Sequence, residues 1–289
     1  MDPKKNRPII MLTLIGLIVG IPGQCLGWPG YGEKLDFTIN LEKQTFLVLE
    51  PIWLSVSATN TGDDEARILP LALTCLSCLD IILVNSKGDT LLYSGTVHDV
   101  TAPPTGYPTK PGETRSNYMN LLEGFGEKID GFGLRRFLEP ETYSIQAVYA
   151  GVLKSNELQF KVSTPEGRDS RAYSIIREAY DYHIQFKTSE FCQKLETLVA
   201  DYPGAVYGDL AYYEMTYWAP DPKEAQKYGR ELILNYPNSR FTRFAFWKIL
   251  RGKTRDEQIG FLDDILGEIP PGTRAAQWAQ GSLEALKEE

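Results

Sequence analysis

The residues best spaced for chemistry are Cys75-Leu76-Ser77-Cys78. Two thiols at this interval can help hold zinc, attach haem, exchange disulfides or close a local disulfide. Zinc would need a second such pair, haem a histidine directly after Cys78, and a redox motif a strand–helix–strand surrounding; the sequence offers none of these. On an extended strand the two Cα atoms would lie about 10 Å apart, beyond disulfide reach. Cys75 and Cys78 therefore read as a disulfide closed by a turn, as two buried thiols or, last, as a functional site.

The other reactive side chains do not converge. His98 and His183 each stand alone, with no H-E-x-x-H and no G-x-S-x-G around a serine. Asp256-Glu257 and Asp263-Asp264 fall near helix ends, where solvated charge accounts for them. The segment from Gly124-Phe125-Gly126 to Gly131-Phe132-Gly133 lacks both a Gly-Lys-Ser/Thr and the strand–loop–helix order of a phosphate site, and reads as a loop anchored by two phenylalanines. No catalytic, cofactor-binding or metal-binding residue is assigned, and the expectation is a protein that is not an enzyme. The net charge of −8 divides evenly about residue 164, so neither half is a basic surface for nucleic acid.

The elements that would position any site fall into three parts. Residues 1–27 read as a signal peptide: Lys4, Lys5 and Arg7 precede an apolar run from Ile9 to Ile21, Pro22-Gly23 breaks it, and cleavage is placed after Gly27. An uncleaved membrane anchor is the alternative, although the run is shorter than the ~20 residues that span a bilayer. A lipoprotein reading would acylate Cys25, but Pro22-Gly23-Gln24 does not resemble the small-residue motif it requires. Residues 34–164 alternate with period two. Leu35 to Ile39, Ile52 to Ala58, a hairpin of 81–84 and 90–93 about Asn85 to Asp89, and strands at Tyr143 to Tyr149 and Glu157 to Val162 indicate an antiparallel β-sandwich. Within it, Val100 to Glu113 holds four prolines and two glycines. It reads as an extended loop, either binding or merely connecting.

From Asp169 the period becomes helical, and Tyr202-Pro203-Gly204-Ala205 returns thirty-four residues later as Tyr236-Pro237-Asn238-Ser239 and again as Pro270-Pro271-Gly272-Thr273. The same step aligns Leu210 with Phe244 and Trp278, and Ala211 with Ala245 and Ala279. A fixed period of this size marks stacked helical hairpins that cannot bury their apolar faces singly. Seven helices are expected, with breaks at the Tyr-Pro corners because a residue before proline leaves the helical region.

Two resemblances add to these readings. Leu138 to Tyr149 is similar to the penultimate strand of bacterial immunoglobulin-like domains, which implies that the Tyr143 hydroxyl bonds backbone across the Pro140 turn. The Cys…Trp…Cys spacing of antibody-type domains is missing. Residues 168–289 resemble tetratricopeptide-like repeats of the Tyr-Pro-x-Ser kind found in bacterial envelope proteins. They depart at the small position of the second helix, where Ala225 is matched by Phe191 and Ile259. Such repeats bind proteins or peptides on their first helices. With Ala211 and Ala245 as packing positions, that surface would show Tyr212, Met215, Phe246 and Ile249. Arg240, Arg243, Lys248, Arg251, Lys253 and Arg255 crowd one hairpin, either to attract an acidic chain or simply to be solvated.

The sequence thus leads to an expected exported, extracytoplasmic (periplasmic or secreted) adaptor with no cofactor, built of an immunoglobulin-like β-sandwich and a tetratricopeptide-like α-helical solenoid. Its expected partner is a protein or peptide of the bacterial cell envelope. A glycan- or cell-wall-binding module, with Trp53 or Tyr107 stacking on sugar, is the second reading. A protease inhibitor presenting residues 100–114 is the third.

Overall fold

The computed structural model describes residues 34–73, 78–91, 93, 106–125, 127–128 and 136–288. The signal-peptide reading, Cys25, Cys75, His98, the start of the 100–114 loop and residues 131–133 lie outside them. In chain order the first half contains β1 (Leu35–Leu41), β2 (Thr45–Leu47), β3 (Trp53–Asn60), β4 (Ala66–Ile68), β5 (Leu79–Val84), β6 (Thr90–Leu91) and β7 (Tyr107–Thr109). There follow β8 (Thr114–Asn120), β9 (Glu127–Lys128), β10 (Arg136–Phe137), β11 (Thr142–Tyr149), β12 (Leu153–Lys154) and β13 (Leu158–Ser163).

Period-two patterning decides which way each strand faces. In β1, Leu35, Phe37 and Ile39 are buried while the residues between them are exposed, and β3 buries Leu54, Val56 and Ala58 in antiparallel register with it, Phe37 opposite Ala58. β8 pairs antiparallel along the other side of β3. A second, mixed sheet runs in the order β2-β13-β11-β5-β6, with β12 also on β11 and with β2 parallel to β13. Its inward residues Tyr143, Ile145, Ala147 and Tyr149 meet the first sheet, and the Phe37 and Tyr149 rings lie 5.4 Å apart. The Tyr143 hydroxyl donates to the Glu139 carbonyl at 3.0 Å, the bond expected across the Pro140 turn.

The proline-rich connection is partly strand. Tyr107–Thr109 pairs with β4, Thr109 is fully buried, and the Asn60 side-chain amide donates to its carbonyl at 2.9 Å. Over residues 106–113 the connection is therefore held against the sheets, with Gly106 and Gly112 supplying the positive φ of its turns.

Seven helices follow: α1 (Gly167–Ile184), α2 (Thr188–Asp201), α3 (Gly208–Trp218), α4 (Pro222–Asn235), α5 (Thr242–Leu250), α6 (Arg255–Leu266) and α7 (Arg274–Glu288). Local chemistry sets their ends. Asp221 caps α4 through the Lys223 N–H with Pro222 at its first position, and Thr254 with Glu257 closes a capping box on α6. Tyr202 and Tyr236 end α2 and α4 in nearly the same non-helical conformation (φ −127, ψ 53 and φ −132, ψ 57), as a following proline requires. Ala211, Ala245 and Ala279 are all fully buried.

The pairs are not equivalent. Gly229 on α4 allows Thr216 of α3 and Ile249 of α5 to approach so closely that an added Cβ would meet both at 3.3 Å. The positions thirty-four residues on from Ala225 and Gly229 are Ile259 and Asp263, which are too large for such an approach. α6 touches α5 through side chains, with the Phe246 and Phe261 rings 6.3 Å apart, and packs its backbone closely on α7. Buried residues of the sheets and of the helices form one contiguous core. No helix among the described residues is long and apolar enough to cross a membrane.

Candidate binding surface

The corners of the repeats face the sheets. Tyr207, fully buried, donates its hydroxyl to the Val48 carbonyl at 2.8 Å. Burial, with Glu50 close by, pushes its phenol well above the usual tyrosine range. Phe241, thirty-four residues on, packs edge-on against Trp53 of β3 with centroids 5.2 Å apart. Arg240 and Arg274, also related by the repeat, both donate to the same Glu42 oxygen at 2.8 Å. The helices thus grip the chain between Glu42 and Trp53 through equivalent positions of successive repeats.

Behind this grip lies a cleft of about 450 Å³ bordered by Glu50, Trp53, Asp209, Tyr236 and Arg240. Two of its carboxylates are already occupied. Glu50 accepts from the Leu47 N–H and pairs with Lys43, while Asp209 accepts from the Ser239 hydroxyl at 2.8 Å and from the Leu210 N–H at 2.8 Å. Burial raises the Asp209 pKa, its hydrogen bonds oppose that rise, and the Glu50 carboxylate adds to it. The cleft is a seam in the packing in which Glu50 and Asp209 are already paired.

Three of the four side chains that the sequence assigned to partner binding are interior. Met215 and Phe246 are 0% exposed and Ile249 is 3% exposed. Phe246 stacks on Trp278 at 4.6 Å, so the row that faces outward in the expected phase is the row that joins α5 to α7. Tyr212 is half-buried against Tyr236, with centroids 6.0 Å apart. A partner cannot reach Met215, Phe246 or Ile249 without unpacking the helices, which corrects their assignment.

The accessible row stands one residue away. Tyr213 stacks on Phe241 at 4.2 Å, Phe244 meets Tyr213 at 5.0 Å and Tyr217 at 5.6 Å, and Trp247 lies 5.7 Å from Phe244. With Trp53 at one end this makes a continuous strip of rings from β3 across α3 and α5, along which Tyr217 is 48% and Trp247 51% exposed. Tyr118 of β8, 48% exposed, extends it over the sheet, with the Arg240 guanidinium 3.6 Å above its ring. Two more cations border the rings: Arg251 over Trp247 at 5.2 Å and Lys248 over Tyr217 at 6.0 Å. Trp53 is half-buried beside Phe241 and Arg240, whereas Tyr107 is 57% exposed. The thirty-four-residue step from Tyr213 to Trp247 carried the signal for this row, which the neighbouring aromatic pair Tyr212 and Phe246 obscured.

The remaining reactive side chains have structural occupations. His183 lies between Phe191 at 5.0 Å and Trp218 at 4.6 Å. Glu257 serves the α6 cap, and those bonds to Thr254 lower its pKa. Cys192 is buried, and desolvation, then Glu196, push its thiol up to about 12, which makes it a poor nucleophile. Cys78 is buried, and its suggested partner Cys75 lies outside the described residues. No cluster of three or more potential metal ligands occurs among the described residues.

No family model matches the chain, and no curated protein is significantly similar to it. Among solved structures, the alkylpurine DNA glycosylase AlkC of Pseudomonas fluorescens, bound to DNA containing an abasic-site analogue, is similar at a TM-score of 0.28 and 10% identity, over 46% of this chain and 31% of that one. The β-glucosidase EmGH1 of Erythrobacter marinus is similar at 0.27 and 15% identity, over 44% and 15%. The sporulation control protein Spo0M of Bacillus subtilis is similar at 0.24 and 12% identity, over 51% and 55%. This chain thus spans about a third or less of the glycosylase and glucosidase it aligns with, and nothing functional is carried over from them.

Proposed function

We propose that the protein is a non-enzymatic, extracytoplasmic adaptor of the bacterial envelope, in which an immunoglobulin-like sandwich and a tetratricopeptide-like solenoid together present one protein-binding surface. The observation that carries this reading is the aromatic strip on α3 and α5. Aromatic side chains supply large contact area at little entropic cost and are enriched where partners anchor. A folded chain that leaves Tyr217 and Trp247 about half exposed beside Phe244, while burying Phe246 next door, has surface there that its own packing does not use. The alternation of the strands and the thirty-four-residue repeat support the two fold assignments, and the apolar run after Lys4, Lys5 and Arg7 supports export.

The test is capture from envelope extracts with intact protein and with Tyr217→Ala/Trp247→Ala. A partner held by the intact protein and lost with the double variant, in the presence or absence of soluble cell-wall glycan, is the expected result. Capture that survives the double variant but disappears on adding glycan would remove the adaptor reading and favour the sugar-binding one.

A further inference from the structure

We propose that the strip receives an acidic segment of a protein partner, lying extended along α5 and α3 and continuing onto Tyr118 of β8; this rests on the protein-binding reading above. Three cations carry the argument. Arg243, Lys248 and Arg251 project from α5 or its end, and none forms an ion pair with a carboxylate among the described residues. Arg243 is the anomaly among them. Five of the seven helices carry an acid in the first turn, as the positive end of the helix dipole favours: Asp169, Glu190, Asp209, Glu224, and Asp256 with Glu257. α5 has none and puts Arg243 there instead, exposed. The other cation in a first turn without an acid, Arg274 of α7, is answered by Glu42. Folding alone therefore leaves Arg243 unexplained, and an anionic ligand explains it.

Geometry narrows the ligand. From Arg243 to Arg251 is about 12 Å along the helix at 1.5 Å per residue. An extended chain advances about 3.3 Å per residue, so carboxylates roughly three to four residues apart reach both ends. Between them on α5 come Phe244 and Trp247, with Tyr213 and Tyr217 of α3 against Phe244, and these rings suit proline, aromatic or aliphatic side chains. Past Tyr118 the outer face of the first sheet offers hydroxyl pairs, Ser57 with Ser116 and Thr59 with Thr114, each at 2.8 Å, that can meet the backbone of the same segment. A neutral sugar would have no use for three cations that no carboxylate answers. Single-stranded nucleic acid would use both rings and cations, but with a phosphate at every nucleotide it meets more of the repulsion of a chain of net charge −8 than a segment with two spaced carboxylates does.

The experiment uses the full-length protein and fluorescence anisotropy of a labelled Glu-Pro-Phe-Pro-Glu peptide with Gly-Ser flanks, its Gln and Lys counterparts, and a twelve-residue oligothymidylate. The Glu peptide is expected to bind at least tenfold more tightly than the others. The variant Arg243→Glu/Lys248→Glu/Arg251→Glu, checked for folding by its melting curve, is expected to reverse the order and prefer the Lys peptide. Tyr118→Ala should weaken a peptide lengthened at one end about threefold and leave the short one unchanged. Equal binding of the Gln peptide, tighter binding of the oligonucleotide, a Glu preference that survives charge reversal, an effect of Tyr118→Ala on both peptide lengths or neither, or no binding by any probe would each overturn the proposal. Strip-dependent capture from extracts alongside any of these results would sink only the acidic segment, whereas strip-independent capture would remove the docking site itself.

Discussion

Residues 207–217 and 241–251 occupy equivalent positions of the thirty-four-residue period, and they have met different fates. Where they agree, the residues hold the molecule together: Tyr207 and Phe241 dock on the sheets, and Ala211 and Ala245 allow close packing. Where they differ, the charge and the exposed area change. Asp209 becomes Arg243, Tyr217 becomes Arg251, and Tyr213 becomes Trp247. A repeat therefore records its packing in what recurs and frees the positions that vary, and the second copy has used that freedom to turn basic.

Substitutions at adjacent residues of α5 separate packing from exposed area by the widest margin. Phe246→Ala should cost about 3–5 kcal/mol in urea unfolding, since a fully buried ring stacked on Trp278 leaves a cavity, while Trp247→Ala should cost only about 0.5 kcal/mol. Equal losses would mean that the outward row is structural too. Next in size is Gly208→Ala: an added Cβ would run into the end of the Tyr236 side chain, so that ring must shift, at about 1–3 kcal/mol. Gly281→Ala on α7, with nothing within 4 Å, should instead stabilise by about 0.5–1 kcal/mol, and thermal melts of the pair tell crowding from helix propensity.

Smaller still is Arg243→Asp, which copies the first repeat into the second. Placing an acid at the helix start should stabilise by about 0.3–1 kcal/mol while weakening the acidic peptide at least tenfold; a variant that loses stability would place Arg243 among the structural residues. Asp209→Asn probes the opposite copy through pH. Because burial raises the Asp209 pKa, the folded state holds its proton more tightly than the unfolded one, so native stability gains as pH falls through the raised value towards 3.8 and is lost as pH rises. The melting temperature of the wild type relative to Asp209→Asn should accordingly climb on acidification, and a flat difference would show that its hydrogen bonds offset burial.

Much of the helical half was legible because its signals are local. Prolines after Tyr202 and Tyr236 stop helices wherever the chain goes, and a small residue recurring with the period marks close contact. The phase of the exposed row was hidden because α3 and α5 are aromatic on nearly all sides, so Tyr212 and Tyr213, or Phe246 and Trp247, look alike until their neighbours are known. β8 was missed for the opposite reason: Thr114–Asn120 contains Met119 as its one aliphatic side chain, and its alternation is between polar residues. Glu42 gave no local sign of its role, since its partners Arg240 and Arg274 are almost two hundred residues or more away in the chain.

The Tyr207 hydroxyl on the Val48 carbonyl carries a consequence for how the molecule comes apart. Val48 adjoins Leu49, a buried non-glycine residue held at φ 67, so the turn that receives the tyrosine keeps an unfavourable backbone conformation only while its surroundings hold it. Remove the helices and that turn loses a reason to stay; remove the sheets and Tyr207 and Phe241 face water. Heating should therefore melt strands and helices in one transition, with proteolysis between Ser163 and Gly167 releasing no stable fragment.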